Sequence, residues 1–466
     1  MRQNTPNPTL AQRRSLVHEY GMKSEIEFIN HASVLISQGD VHLLSDPWYA
    51  GAAFHDGWRL LVEHEDDVVA ALLKRATHIW VSHEHPDHFS VLFFKRFGEQ
   101  IRTQGIKILF QNTRDRRVAK FFEAQGFDLT ELPFNTPVQL SDDYAVTCIK
   151  DGFIDSGLFI ETAGEKILNL NDCEVNTQQR ADEIKRLTGD VEVLLTQFSY
   201  AAWKGGAVNR SWRLEAAEEK LDAVALQTKT FAPTVVIPFA SYVYFSNAMN
   251  GCLNDGANHP KEVLERFKDA PFETVVMAPF DRFSGAWSAA DQENAVNFWQ
   301  AQFEDAATRE PTTYDSVPWD ELAQDYVSYV GRVRTTNNTW IMRFFRRFKP
   351  FRAFAPIAVK LLDYDKTVLV DFENATLVET DRPADLEMQS ASLQFLFKNG
   401  FGFDTLMVNG CFEEGSTGGF VRATKTFGVD NLNNIGLKVA FSTLFNVHLI
   451  KMILTRLYRV ARKLEE

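Results

Sequence analysis

The amino-acid sequence predicts an α/β fold in which two mixed β-sheets are covered by helices, with an additional C-terminal α+β domain. Short apolar segments alternate with segments of helical spacing. An antiparallel strand pattern opens the chain, and a change of composition precedes an aromatic-rich remainder. The 466 residues, of which 45% are hydrophobic, are enough to bury the cores of two or three domains.

Three short strands are predicted near the start of the chain, at Glu25–Ile29, Ser33–Ile36 and Val41–Leu44. The tripeptide Gln38-Gly39-Asp40 between the last two supplies the residues of a hairpin turn. The fold is therefore expected to open with antiparallel strands.

Strands and helices then alternate in the way expected for helix-covered sheets. Helical spacing is found at Asp66–Arg75, Phe89–Phe97, Arg116–Gln125, Gln178–Leu187 and about Arg213–Thr228. Apolar strands are predicted at Thr77–Val81, Lys107–Phe110, Tyr144–Lys150, Leu158–Glu161, Lys166–Leu170, Val191–Leu195 and Thr234–Pro238.

A domain boundary is predicted between Asp305 and Ser316, where charged and turn-forming residues such as Glu310-Pro311-Thr312-Thr313 occur. Residues 1–305 then form one domain, and residues 306–466 form an accessory C-terminal domain.

Charge and cysteine usage exclude several classes of protein. Acidic residues exceed basic ones by 62 to 49, and the net charge of -13 disfavours binding to nucleic acid. The four cysteines are too widely spaced for a disulfide framework or a structural zinc site, which fits a reducing compartment. Residues 1–14 lack the apolar region of a secretory signal. We therefore expect a cytoplasmic protein.

The segment from His83 to His88 carries the strongest chemical signal, because it has the pattern H-x-H-x-D-H on a loop between a predicted strand and a predicted helix. His83 and His85 can point the same way, while Asp87 and His88 can serve a second locus. Two ions about 3.5–4 Å apart would share one pocket. The sequence thus predicts a centre for one or two divalent metal ions.

This motif resembles that of the metallo-β-lactamase-fold superfamily, residue for residue. Two further segments, Asn30 to Leu35 and Ser45-Asp46-Pro47-Trp48, are similar to motifs of one branch of that superfamily. The resemblance implies a four-layer αβ/βα sandwich, with residues 1–305 as the metal-binding catalytic domain.

A closer resemblance is to the catalytic region of the CMP-N-acetylneuraminate hydroxylase family. The similar segments occur in the family's order: Asn30 to Leu35, Asp46-Pro47-Trp48 with Phe54 and Gly57-Trp58, Lys166 to Asn169 with Asp172-Cys173, Pro238-Phe239-Ala240 with Tyr242, and Leu369 to Phe372. The resemblance implies an acidic sugar or sugar nucleotide as the small-molecule substrate. That family carries a Rieske domain with Cys-x-His and Cys-x-x-His pairs, which this sequence lacks. We therefore expect a separate iron-sulfur electron donor.

The remaining metal ligands are inferred from the superfamily resemblance. Asp172, after a predicted strand, is the expected carboxylate that bridges two ions. No histidine lies between His88 and His259, so Asp151 is the expected substitute ligand of the first ion, with Asp155 as the alternative. The final histidine expected after the last core strand is also absent. A set poor in histidine favours iron or manganese over a two-zinc site.

Other candidate residues have weaker support. His31 is a catalytic candidate that could orient a ligand, or it could be an ordinary buried histidine. Four residues are tentative substrate contacts if the related architecture holds: Lys204, Tyr200, Trp203 and Tyr242. The segment from Arg343 to Arg352 mixes five cationic side chains with four phenylalanines, which suits either an anionic membrane surface, a protein partner or a basic loop with a buried aromatic face.

Two reaction classes are compatible with these residues. A non-haem iron oxygenase would activate dioxygen with electrons delivered from outside, as the hydroxylase resemblance implies. A hydrolase of phosphodiesters or esters would use a metal-bound hydroxide, with Asp87 assisting proton movement. A degenerate, non-catalytic binding protein is the third alternative.

Overall fold

The structure is a computed structural model that describes residues 22–347, 352–434 and 436–441. Residues 1–14, in which no secretory signal was predicted, lie outside these ranges. Within the described ranges, no helix has both the length and the apolar character needed to cross a membrane.

The described residues form strands and helices that we number in chain order. The strands are β1 Glu25–Asn30, β2 Ser33–Gln38, β3 Val41–Ser45, β4 Ala52–Ala53, β5 Trp58–Leu60, β6 His78–Val81, β7 Lys107–Gln111, β8 Leu129–Leu132, β9 Pro137–Ser141, β10 Tyr144–Lys150, β11 Ser156–Glu161, β12 Lys166–Asn171, β13 Val193–Gln197, β14 Val235–Phe239, β15 Val243–Phe245, β16 Glu273–Thr274, β17 Arg282–Phe283, β18 Ile357–Leu361, β19 Lys366–Val370, β20 Val378–Glu379, β21 Leu386–Met388 and β22 Glu413–Glu414. The α-helices are α1 Asp66–Leu73, α2 Val91–Thr103, α3 Arg117–Ala124, α4 Gln178–Thr188, α5 Arg210–Phe231, α6 Pro260–Phe267, α7 Ala289–Ala306, α8 Trp319–Thr336, α9 Thr339–Arg347, α10 Ser390–Lys398, α11 Gly402–Asn409 and α12 Gly419–Asn434.

Two seven-stranded mixed sheets form the main architecture. The first has the order β17-β1-β2-β3-β6-β7-β8 and the second the order β16-β14-β13-β12-β11-β10-β9. The strands β1, β2 and β3 pair antiparallel, whereas β3, β6 and β7 pair parallel. The predicted fold class is confirmed, and so is the antiparallel opening of the chain.

Side-chain alternation along the strands of the first sheet separates two layers of core. Phe28 and Trp80 face the second sheet, while their neighbours Ile29 and Ile79 face helices α1 to α3. The helix α2 begins at a defined point because the Ser90 side chain accepts a hydrogen bond from the backbone N–H of Phe93. These layers hold the loop between β6 and α2 at the edge where the two sheets meet.

The residues after α7 form a five-stranded sheet of order β20-β19-β18-β21-β22 with helices α8 to α12. Their hydrophobic core also contains side chains from the first 305 residues, among them Trp48, Trp58 and Trp203. The C-terminal region therefore packs directly on the loop side of the two large sheets. The boundary at residues 305 and 306 stays a prediction, and it coincides with the end of α7.

The basic and aromatic segment starts within α9, and its residues 348–351 lie outside the described ranges. Arg343 pairs with Glu373, and Arg346 pairs with Asp371, so two of its cations have partners within the chain. Phe344 is 45% exposed. Contact of this segment with a membrane surface stays a prediction.

Candidate metal centre

The histidine motif occupies the loop that joins β6 to α2. Backbone N–H groups of His88 and Phe89 both donate to the carbonyl of His85, at 3.0 and 2.7 Å, which folds the loop into a tight turn. His83 and His88 are fully buried at the base of this turn. The turn therefore brings side chains that are adjacent in sequence towards one point.

The imidazoles of the motif converge. The Nε2 atom of His83 lies 2.9 Å from the Nδ1 atom of His85, and the rings of His83 and His88 have centroids 4.2 Å apart. Ring nitrogens this close to one another are suited to binding a common cation or two neighbouring cations.

Asp172 follows β12 and lies between the two halves of the motif. Its Oδ2 atom is 3.2 Å from Nε2 of His88 and 4.0 Å from Nε2 of His83, and its Oδ1 atom accepts a hydrogen bond from Gln197 at 3.0 Å. The preceding residue, Asn171, has a positive φ of 50°, which turns the chain sharply at the strand end. Asp172 thus lies beside both imidazoles, and its role as a bridging ligand stays a prediction.

Asp155, and not Asp151, reaches the imidazoles. The Oδ1 atom of Asp155 lies 3.6 Å from Nε2 of His83. The carboxylate of Asp151 is occupied elsewhere, because it accepts hydrogen bonds from the Arg180 guanidinium at 2.9 Å and from the backbone N–H of Glu174 at 2.7 Å. Of the two predicted candidates, the alternative Asp155 is therefore the one that lies within reach of the imidazoles, and its role as a ligand stays a prediction.

The two predicted catalytic residues, Asp87 and His31, lie next to each other. The Oδ2 atom of Asp87 is 3.4 Å from Nε2 of His31 and 3.2 Å from Nε2 of His88. All three side chains are buried. The ligand atoms of these residues form one of three groups, within the part of the chain that the structure describes, that could hold a metal ion: His31, Asp87 and His88; His83, His85 and Asp155; His83, His88 and Asp172.

Asp46 directly follows β3 and fixes the motif through hydrogen bonds to Ser82 and His88. Its Oδ2 atom accepts from Nδ1 of His88 at 3.0 Å and from the Ser82 hydroxyl at 2.8 Å, while Oδ1 accepts from the Ser82 backbone N–H at 2.7 Å. The side-chain amide of Asn171 also donates to Asp46. A carboxylate on Nδ1 leaves the Nε2 lone pair of His88 facing Asp172, which is the orientation a ligand requires.

This role of Asp46 was not predicted from the sequence, in which the residue stood out only as part of an Asp-Pro turn. The available signal was a carboxylate directly after an apolar strand that pairs with the strand preceding the motif. Only the parallel pairing of β3 with β6 places Asp46 beside Ser82 and His88.

Burial and mutual electrostatics shift the protonation of these groups when no cation is present. Burial, together with the neighbouring His88 and His85, holds the pKa of His83 well below its usual range. Burial opposes the charged form of His88, yet the carboxylates of Asp87, Asp172 and Asp46 raise its pKa well above the usual value.

The pKa values of two carboxylates near the motif shift in opposite directions. Burial raises the pKa of Asp155 to about 7, with Asp172 and Asp151 adding to the effect. Burial also disfavours the charged form of Asp172. The charge and the hydrogen bond of His88 have the larger combined effect and lower the pKa of Asp172 to about 2.

The donor set fits a divalent cation. Four buried or half-buried carboxylates, those of Asp46, Asp87, Asp155 and Asp172, surround the imidazoles. Buried ligand atoms without a hydrogen-bond partner among the described residues include Asp87 Oδ1 and Asp155 Oδ1. Because buried polar atoms are normally paired, these atoms are placed to bind a positively charged group.

The four tentative substrate residues do not line the cavity beside the motif. Tyr242 is fully buried in the core, where it stacks on Trp299 at a centroid distance of 3.9 Å. The hydroxyl of Tyr200 donates to the carbonyl of Leu253, Trp203 stacks on Phe412, and Lys204 is half-buried in the following loop. Packing within the C-terminal core accounts for the positions of Tyr200 and Trp203.

A cavity of about 380 Å³ opens on His85. The loop of the motif, α3 and the C-terminal helix α11 contribute its walls, and its lining is mostly apolar: Phe54, Glu84, His85, Pro86, Phe89, Val91, Arg117, Val118, Ile154, Phe401, Asp404, Thr405 and Val408. Arg117 donates to Glu84 at 2.9 Å and lies 4.9 Å from the ring centroid of Phe401, so it links the two regions of the chain. A cavity of this size suits a small molecule.

No protein-family model matches the chain. The cytidine monophosphate-N-acetylneuraminic acid hydroxylase of Danio rerio is 26% identical over 294 residues, covering 59% of this chain and 48% of that protein. The inactive cytidine monophosphate-N-acetylneuraminic acid hydroxylase of Homo sapiens is 29% identical over 283 residues, covering 57% and 54%. The predicted resemblance to the hydroxylases is confirmed. The match spans about half of the length of these relatives.

Two solved structures match just over half of the chain, each with a TM-score below 0.5. CmlA, a diiron beta-hydroxylase from Streptomyces venezuelae, has a TM-score of 0.41 at 13% identity, covering 56% of this chain and 54% of that chain. Igni18, a metallo hydrolase from Ignicoccus hospitalis, has a TM-score of 0.41 at 15% identity, covering 57% of this chain and 99% of that chain.

Proposed function

We propose that the chain is a metal-dependent enzyme that hydroxylates a small molecule. The observation that carries the proposal is the convergence of imidazoles and carboxylates at the mouth of a cavity, in a chain whose sequence relatives are named hydroxylases. A mixed nitrogen and oxygen donor set suits iron or manganese as well as zinc. We favour iron.

The first ion would be held by His83, His85 and Asp155, and Asp172 would be available as a further carboxylate ligand from the side of His88. Asp46 orients His88, and Gln197 orients Asp172. When bound, iron supplies dioxygen activation with electrons from outside the chain. Asp46 and Gln197 would keep the ligands in a fixed orientation, and the substrate would approach the centre from the cavity beside His85.

The substrate is proposed to enter the cavity beside His85. Glu84 and Arg117 pair at its rim, and Phe54, Phe401 and Val408 provide an apolar wall. The relatives make CMP-N-acetylneuraminate the first compound to test. The electron donor is proposed to be an iron-sulfur protein, because hydroxylation with dioxygen requires two electrons that the proposed iron centre must receive from outside.

The test begins with elemental analysis of protein purified without added metal. The iron-loaded protein is then supplied with a reduced ferredoxin system, CMP-N-acetylneuraminate and isotopically labelled dioxygen. We expect iron at or above one ion per chain and incorporation of one labelled oxygen atom into the product. His83→Ala should lose the iron of the proposed first site and the incorporation of labelled oxygen, while His42→Ala, in which a half-buried histidine outside the motif is removed, should retain both.

Metal-dependent hydrolysis is the second candidate, favoured by the same motif because it requires no electron donor. Protein loaded with zinc would be assayed with phosphodiester and ester substrates. Hydrolysis that depends on His83, without oxygen consumption by the iron form, would replace the hydroxylase proposal. If neither iron nor zinc binds stoichiometrically, the centre does not function as a metal site and both enzyme proposals are wrong.

A further inference from the structure

His31 occupies the turn between β1 and β2 in a conformation that L-residues rarely adopt. Its φ is 34°. The backbone is tied on both sides, because the His31 N–H donates to the Asn30 side chain at 3.0 Å and the His31 carbonyl accepts from the N–H of Ala240 at 2.7 Å. This turn fixes the direction of the side chain.

The imidazole of His31 is buried, with only 2% of the residue exposed. Neither of its ring nitrogens has a hydrogen-bond partner among the described residues, and the same is true of Asp87 Oδ1. The Nε2 atom of His31 is 3.4 Å from Asp87 Oδ2, without the alignment of a hydrogen bond. Burial of unpaired polar atoms is costly, so these atoms are expected to have a binding partner.

A third ligand completes this group. The Nε2 atom of His88 lies 3.2 Å from Asp87 Oδ2, and the ligand atoms of His31, Asp87 and His88 all lie within 4.8 Å of one another. This group shares no residue with the group of His83, His85 and Asp155. The two groups meet at Asp172, whose Oδ2 atom approaches both His88 and His83.

We propose that His31 is a ligand of a second cation, together with Asp87 and His88, and that Asp172 is shared with the first cation. This inference rests on the proposed metal centre. His31, the proposed ligand, lies in the turn after β1. The segment after β14 does not supply this ligand, because its Tyr242 is buried in the core and stacks on Trp299. The hydrogen bond from Ala240 brings the two segments together, so His31 supplies an imidazole at that position.

The probes are Zn²⁺ and Co²⁺ alone, titrated into the full chain after removal of metal. Calorimetry and elemental analysis count the ions, and the visible absorption of Co²⁺ reports its ligands. The variant is His31→Asn, because asparagine tolerates a positive φ and is too short to replace the imidazole. We expect two ions per chain in the unmodified protein and one in His31→Asn. His83→Ala should lose the other ion, and the matched control His42→Ala should bind two.

The alternative is that His31 only positions Asp87. In that case His31→Asn would still bind two ions, and its affinity for the second ion would fall by about 10- to 100-fold at most. The Co²⁺ spectrum would keep its shape. Either two ions in the variant or one ion in the unmodified protein overturns the inference while leaving the proposed enzyme intact. An unmodified protein that binds no ion would refute the proposed metal centre itself.

Folding of the variant is checked by circular dichroism in the metal-free state. If His31→Asn does not fold, Asp87→Asn replaces it, because Asp87 belongs to the same group and lies on a different loop. Asp87→Asn should also bind one ion, and retention of two ions in that variant would contradict the second site.

Discussion

The contact between Asp46 and His88 allows a quantitative test of how the fold prepares the metal centre. The Asp46 carboxylate accepts hydrogen bonds from the Ser82 N–H, the Ser82 hydroxyl, Nδ1 of His88 and the Asn171 amide. Asp46→Asn keeps the shape of the side chain and replaces one acceptor oxygen with a donor. If the remaining oxygen keeps the 2.7 Å bond from the Ser82 N–H, the new NH₂ group faces His88.

An NH₂ group next to Nδ1 of His88 favours the tautomer that carries its hydrogen on Nε2. Nε2 is the atom that faces Asp172 at 3.2 Å, and a protonated Nε2 cannot bind a metal. We expect zinc affinity to fall by about 10- to 100-fold, which is about 1.4–2.8 kcal/mol. The metal-free protein should lose about 1.5–3 kcal/mol of unfolding free energy, since charged hydrogen bonds are removed in the interior.

The zinc affinities of Asp46→Asn and the unmodified protein are compared by competition with a chelator, and unfolding free energies by urea titration. Asp142→Asn, which makes the same chemical change in an exposed turn, is the matched control. An affinity unchanged in Asp46→Asn would show that the carboxylate does not set the orientation of His88.

Three further predictions test the ligand set, the cavity and a buried histidine. Asp155→Asn should lose the ion of the proposed first site, as measured by elemental analysis, whereas Asp151→Asn should keep its metal and lose stability, because Asp151 pairs with Arg180; an unchanged metal content in Asp155→Asn would contradict this ligand assignment. Val408→Trp should fill the cavity and raise KM by about tenfold or more with metal content unchanged; an unchanged KM would place the substrate elsewhere. Burial, with Lys107 nearby, lowers the pKa of His78 from 6.5 to about 4, so its neutral form contributes stability above pH 6.5 that is lost as pH falls towards 4. Between pH 6.5 and pH 4, the unfolding free energy of the unmodified protein should therefore decrease by about 3 kcal/mol more than that of His78→Gln. Equal decreases in the two proteins would contradict this prediction.

The alternation of strands and helices was predictable because hydrophobic periodicity is a local property of the chain. The strands β6 and β10 to β14 lie within a few residues of their predicted positions. β8 and β9 were missed, because Leu129–Leu132 and Pro137–Ser141 are short and only partly buried. Edge strands of this kind are defined by their pairing partners more than by their own composition.

The motif from His83 to His88 was also determined by the sequence itself. Its candidate ligands are neighbours in the chain, and one tight turn is enough to bring them together. The position of Asp172 directly after an apolar strand was similarly local information, supported by the resemblance to a known superfamily.

The tertiary structure decided which of several chemically equivalent residues joins the centre. Asp151 and Asp155 are four residues apart in the loop between β10 and β11, but only the packing of α4 brings Arg180 to Asp151 and leaves Asp155 near the imidazoles. Asp46 and His31 come from turns far from the motif in sequence. Their roles depend on the pairing of separate strands, and the physical reason is that long-range contacts are fixed by the packing of whole layers and not by local residue patterns.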